Sequence, residues 1–166
     1  VQNALAGIAV AECLNMSEKE IKEGLSCYTG EQMRLCISEK EGIKIINDTY
    51  NAAPSSVKAA IDVLCDISSH RRRWVILGDM LELGDDSLEE HKRIVELLRR
   101  QRSLEKIVLV GREFAKAAAE LKPDRVQLFN NVEQLKEHFE KKRPEGVSIF
   151  IKGSNSIRLS VLEEVL

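Results

Sequence analysis

The chain has 166 residues, 43% hydrophobic and 31% charged, with a formal net charge of −2. That length supports a buried core and one domain with a small appendage. The near-neutral charge gives no footprint for nucleic acid, and no apolar run reaches the length of a membrane span. No stretch reads as a signal peptide, so a cytoplasmic protein is expected.

The four cysteines, Cys13, Cys27, Cys36 and Cys65, lack metal-binding spacing and read as small core residues in a reducing compartment. The basic runs His70-Arg71-Arg72-Arg73 and Arg99-Arg100-Gln101-Arg102 read as solvated charge at the ends of elements.

The chain starts without Met, and Asn3 to Ala11 reads as the middle of a buried helix. A fragment of a larger protein is therefore expected. Helices are predicted over Gln2 to Leu14 and Ser17 to Leu25, the second opened by a capping box of Ser17 and Glu20. Met33 to Ser38 and Ile43 to Asn47 read as a hairpin around Glu39-Lys40-Glu41-Gly42. Helix and strand then alternate. Helices are predicted at Pro54 to Ser68, Leu88 to Arg102, Glu113 to Leu121, Val132 to Lys142 and Ile157 to Leu166. Between them fall strands at Trp74 to Leu77, Ile107 to Val110, Val126 to Phe129 and Val147 to Ile151. Apolar strands alternating with amphipathic helices argue an α/β, Rossmann-like fold. Its six-stranded sheet is expected to be mostly parallel, with an antiparallel hairpin at its start and helices on both faces.

The strand-to-helix junctions carry the polar groups, and ligands of open α/β sheets bind at the carboxyl ends of strands. Asp48-Thr49-Tyr50-Asn51 precedes Pro54, which suits a first helical turn. A carboxylate there can accept from ribose hydroxyls and an Asn amide can both donate and accept; equally, both can serve the turn itself. Gly78-Asp79 ends the next strand on the same sheet edge, and Ser87 with Glu90 reads as a second capping box. His91 could face the cleft or pack inside. Lys152-Gly153-Ser154-Asn155 offers an ammonium and helix-opening side chains suited to a carboxylate or phosphate; the alternative is an ordinary cap beside an exposed lysine. Val110-Gly111-Arg112 reads as structural. There is no G-x-x-x-x-G-K-[ST] loop and no G-x-G-x-x-G, nucleophile–base pair or metal cluster. The chain is expected to bind rather than to catalyse on its own.

Taken together, Ile46-Asn47-Asp48-Thr49-Tyr50-Asn51-Ala52-Ala53-Pro54-Ser55-Ser56, Leu77-Gly78-Asp79-Met80-Leu81-Glu82-Leu83-Gly84 and Lys152-Gly153-Ser154 resemble the Mur ligase family. The Gly-Asp-Met-x-Glu-Leu-Gly run is similar to the member that adds D-alanyl-D-alanine to UDP-N-acetylmuramoyl-tripeptide in peptidoglycan precursor synthesis. The usual pattern has Asn where Ala53 stands and Arg where Asn155 stands, and its Gly-Arg pair is spread here from Gly30 to Arg34.

The resemblance implies a domain plan: residues 1–30 as the helical end of a central ATPase domain, and 31–166 as a C-terminal Rossmann-like ligase domain packed on it. It implies ATP, with Asn3, Arg34 and Asp48 near the nucleotide, and Mg²⁺ held mainly by the central domain. It implies Tyr50, Asn51, Asp79, Lys152, Gly153, Ser154 and Asn155 on the D-alanyl-D-alanine side. No catalytic residue or metal ligand is expected from this chain. An acyl phosphate would form on the tripeptide and be attacked by the dipeptide amine. The competing readings are a folate-polyglutamate-type ligase domain and a non-catalytic nucleotide-binding or interaction module.

Overall fold

In the computed structural model, residues 2–28, 33–67 and 72–166 are described. The chain divides into two compact units, residues 1–31 and 32–166. The first holds α1 (Gln2–Cys13) and α2 (Glu18–Ser26). The capping box forms as predicted, with Glu20 N–H donating to Ser17 and Ser17 N–H donating to the Glu20 carboxylate. Contrary to the buried helix expected, α1 is largely exposed, its half-buried positions Ala4, Ile8 and Ala11 recurring at helical spacing. Cys13 and Cys27 are exposed as well. An apolar segment is buried only as far as other elements cover it, and within this unit α2 alone packs on α1.

The second unit is built on β1 (Cys36–Lys40), β2 (Ile43–Asp48), β3 (Arg73–Gly78), β4 (Lys106–Val110), β5 (Val126–Phe129) and β6 (Ser148–Lys152). They form one sheet in the order β1-β2-β6-β3-β4-β5, antiparallel between β1 and β2 and parallel elsewhere. Alternate residues of each central strand enter opposite cores. Ile46, Val75, Leu77, Ile107, Leu109 and Phe150 meet α3 (Pro54–Ile67), α4 (Ser87–Arg100) and α5 (Arg112–Leu121). Ile43, Ile45, Ile76, Val108, Ile149 and Ile151 meet α6 (Val132–Lys141) and the C-terminal segment. The predicted fold class is correct.

The departures are local. β1 starts at Cys36 rather than Met33, because Met33 and Leu35 take left-handed backbone (φ 61° and 49°). Every residue of this edge strand is exposed, so Cys36 is no core residue either; the side chain of Cys65 lies outside those described. The last helix is replaced by 3-10 turns at Asn155–Ile157 and Leu159–Glu164, broken at Arg158 (φ 60°). This break seats both Ile157 and Leu159 on the backbone at Gly78, which a continuous helix would not do. Ser87 is not a cap: a 3-10 turn, Gly84–Asp86, runs into α4, so Ser87 is already helical. His70, Arg71 and Thr29 to Gln32 lie outside the described residues.

Candidate functional site

The loops after β2 and β3 run to helices on one face of the sheet, whereas β6 between them leads to the C-terminal turns on the other. A crevice opens where neighbouring strands send their connections to opposite faces. Three predicted motifs meet there.

Asp48 and Lys152 end adjacent strands and are paired in the β2–β6 register. Lys152 Nζ donates to Asp48 Oδ2 at 2.5 Å and to the Asn51 carbonyl at 2.8 Å. The Lys152 side chain is 4% exposed and that of Asp48 18%. An ammonium so buried needs both partners to offset its desolvation. Lys152 is thus neither exposed nor poised outward, and it ties the loop after β2 to the end of β6. The other oxygen of Asp48 accepts nothing from the described residues. Below it, buried Asn47 accepts from Thr49 N–H (3.1 Å) and Oγ1 (2.7 Å), fixing the turn. Pro54 opens α3 as predicted, with Ser56 Oγ accepting Ala53 N–H.

Two hollows adjoin along this edge. Arg34, Asp48, Tyr50, Asn51, Ala53, Ser56 and Lys152 line one of about 320 Å³. Tyr50, Asn51, Leu81, Glu82, Ser154, Asn155 and Ser156 line the other, of about 450 Å³. Tyr50 and Asn51 belong to both. The Arg34 guanidinium lies 3.9 Å from the centroid of the Tyr50 ring, which is 44% exposed. The structure thus gathers Arg34, Asp48, Tyr50, Asn51, Lys152, Ser154 and Asn155 into one surface.

Asp79 is not on that surface. It is buried, and its two oxygens accept the N–H groups of Glu113 (3.0 Å, Oδ2) and Phe114 (2.9 Å, Oδ1). Its carboxylate caps α5 from another strand, where it also meets the positive end of the helix dipole. A Cβ at Gly111 would lie 2.2 Å from Asp79 Oδ2, and Gly111 holds φ 123°. Gly153 likewise offers closeness rather than a ligand contact: a Cβ there would meet Leu159 Cδ1 at 2.9 Å and Gly78 Cα at 3.1 Å. Asn3 lies on α1 in the first unit.

Other groups take partners that the sequence left open. His91 is fully buried; its Nδ1 meets the Ser87 carbonyl (2.7 Å), while Nε2 accepts Met80 N–H (3.1 Å). That pattern assigns the proton to Nδ1 and makes the 3.8 Å approach of Nε2 to Asp79 a contact of a neutral ring. Ser154 Oγ accepts Leu81 N–H (2.9 Å) and Ser154 N–H donates to the Asp79 carbonyl (3.2 Å), clamping the loops after β3 and β6 together. At the start of α5 the Lys116 ammonium, foremost, holds the Glu113 carboxyl below the usual carboxylate range. Adjacent strand-end positions were the only signal for the Lys152–Asp48 pair; nothing local decided between the two readings of His91.

The family model described as the Mur ligase glutamate ligase domain matches residues 33–155, and the chain belongs to the Mur ligase family. The UDP-N-acetylmuramoyl-tripeptide–D-alanyl-D-alanine ligase of Borreliella burgdorferi is 32% identical over 166 residues, covering 99% of this chain and 35% of that protein. The enzyme of the same name from Bacillus subtilis is 30% identical over 164 residues, covering 96% and 36%. A crystal structure of MurF from Acinetobacter baumannii superposes with a TM-score of 0.84 at 32% identity, covering 99% of this chain and 36% of that one. The resemblance read from the three motifs is therefore correct at the family level. The chain spans about a third of the length of these relatives.

Proposed function

We propose that this chain is the C-terminal part of an ATP-dependent ligase that joins D-alanyl-D-alanine to UDP-N-acetylmuramoyl-tripeptide in the cytoplasm, for peptidoglycan synthesis. Residues 1–30 then form the helical end of a central ATPase domain, and residues 31–166 close onto that domain. The reading is carried by one observation: two adjoining hollows at the strand carboxyl ends share Tyr50 and Asn51. Such a surface can hold two different reactants side by side, which amide synthesis requires. Likeness over nearly the whole chain to relatives of that name supports the choice of reactants.

In this reading the hollow of Arg34 and Asp48 faces the nucleotide. The second oxygen of Asp48 accepts from ribose hydroxyls while Lys152 fixes the first, and Asn3 lies near the adenine. The hollow of Tyr50, Asn51, Ser154 and Asn155 takes the dipeptide, with Lys152, Gly153 and Asp79 as positioning residues behind it. Mg²⁺ is assigned to the phosphate side of the central domain, as the family resemblance implies. When bound there it supplies charge neutralisation as the tripeptide carboxylate becomes an acyl phosphate. This chain's contribution is to orient the dipeptide amine and to exclude water on closure.

A coupled phosphate-release assay on the full-length protein tests this. ATP turnover that needs both UDP-N-acetylmuramoyl-tripeptide and D-alanyl-D-alanine is expected. Turnover with glutamate and a folate, or none with any acceptor, would overturn the reading.

A further inference from the structure

A hollow of about 760 Å³, larger than either of the two above, lies at the opposite end of the sheet from that site. Trp74 and Lys106 bring the amino ends of β3 and β4 to it, and His138 and Lys142 bring the end of α6. Arg72 and Arg143 also line it, but both are committed. Arg72 makes two bonds of 2.8 Å to Glu105 and one of 2.9 Å to the Glu145 carbonyl. Arg143 pairs with Glu41 and the Leu166 carbonyl.

The remaining cations have no such partners. Lys106 Nζ lies over the Trp74 ring, 4.6 Å from its centroid, and neither Lys106 nor Lys142 forms an ion pair among the described residues. The His138 ring is edged by Phe129 and Phe139. The acid nearest to hand, Glu105, spends both oxygens on Arg72 and one also on Trp74 Nε1. The hollow therefore gathers two ammonium groups and an imidazole around an aromatic wall, against two lining acids, Glu105, which is bound to Arg72, and Glu145, which gives Arg72 its carbonyl.

From this juxtaposition we propose that the hollow binds a small dianionic oxyanion of the phosphate class, free or as a phosphomonoester, between Lys106, His138 and Lys142. Two unpaired ammonium groups match two negative charges, and the imidazole N–H adds a third donor, reinforced by charge when the ring is protonated. The volume leaves room for an organic group beside the oxyanion. The electrostatics agree. Burial first, then repulsion from Lys142, pushes the Lys106 ammonium below the usual lysine range. Burial first, then Lys106, Lys142 and Lys141, does the same to the His138 ring. A bound dianion relieves each of these repulsions.

The test follows the His138 ring by NMR in full-length protein carrying labelled histidine, titrated at constant ionic strength with phosphate, phenyl phosphate or acetate. Saturable movement of the His138 signals with phosphate, together with an upward shift of its titration midpoint, is expected; acetate leaves them in place. Lys106→Gln and the more exposed Lys142→Gln should each raise the half-saturating phosphate concentration about two- to fivefold, the usual worth of a partly exposed charge pair. Tighter binding of phenyl phosphate identifies a phosphomonoester as the ligand, and equal binding identifies free phosphate. Equal response to acetate, or an unchanged response in the Lys142→Gln protein, would overturn the proposal. Ligase activity is not the readout, so this result is independent of the function proposed above.

Discussion

Lys152 and Asp48, 104 residues apart, close a nearly buried ion pair at 2.5 Å across the ends of β6 and β2. The pair converts two separate strand-end motifs into one rigid edge, since the same ammonium also holds the Asn51 carbonyl. Lys152→Met would leave the Asp48 carboxylate facing an apolar neighbour. Unfolding free energy is expected to fall by about 2–4 kcal/mol, somewhat below a fully buried pair because Asp48 keeps some solvent. Asp48→Asn should cost less, as its amide oxygen still accepts from Lys152. The double variant should be less destabilised than the sum of the two single variants. Strict additivity in denaturant unfolding would show that the pair carries no coupling.

Asp79 and Gly111 form a second interlocked pair. Gly111→Ala places a methyl where the Asp79 carboxylate sits and strains a backbone at φ 123°. A loss of about 2–4 kcal/mol is expected, with faster hydrogen exchange at the Glu113 and Phe114 amides that the carboxylate caps. Asp79→Ala should speed exchange at the same two amides at a smaller cost, about 1–3 kcal/mol. Unchanged protection of those amides in either variant would refute the capping role.

These two aspartates show what was legible in the sequence. Both end apolar strands, and from sequence both read as ligand-side acids. Strand ends are fixed by the apolar runs of β2 and β3, so their placement on the same sheet edge came through. The direction each carboxylate takes depends on residues far along the chain: Lys152 for Asp48, and the amides of Glu113 and Phe114 for Asp79. No local periodicity encodes those partners. The same limit explains the C-terminal segment, where Ile157 to Leu166 has helical composition but is bent at Arg158 to seat on Gly78 and Gly153. Tertiary packing overrode propensity there.

His138 gives a pH prediction. Its ring titrates below the usual histidine range in the folded chain, through burial and then through Lys106, Lys142 and Lys141. The unfolded chain therefore takes up a proton at higher pH than the folded one. Stability is fully present above the unfolded value of about 6.5, declines as pH falls through the folded value, and levels off below it. His138→Gln should flatten this part of the stability–pH curve, measured by chemical denaturation in phosphate-free buffer. An unchanged slope would contradict the shift.

Tyr50 borders both hollows, and its ring carries the Arg34 guanidinium. Under the function proposed above both reactants meet there, so truncation affects both. Tyr50→Ala in the full-length enzyme is expected to raise KM for ATP and for D-alanyl-D-alanine together. About fivefold in each corresponds to roughly 1 kcal/mol for an exposed cation–π contact. Tyr50→Phe keeps the ring face and so keeps Arg34 in place; its effect on the ATP KM should be within about twofold. Asn155, by contrast, lines just one of these two hollows, the one it shares with Leu81 and Glu82. Asn155→Ala should raise KM for the dipeptide while leaving the ATP KM unchanged. Steady-state kinetics with each reactant varied in turn separates the cases. A Tyr50→Ala enzyme altered toward one reactant alone, or an Asn155→Ala enzyme altered toward ATP, would break the assignment of the two hollows to two reactants.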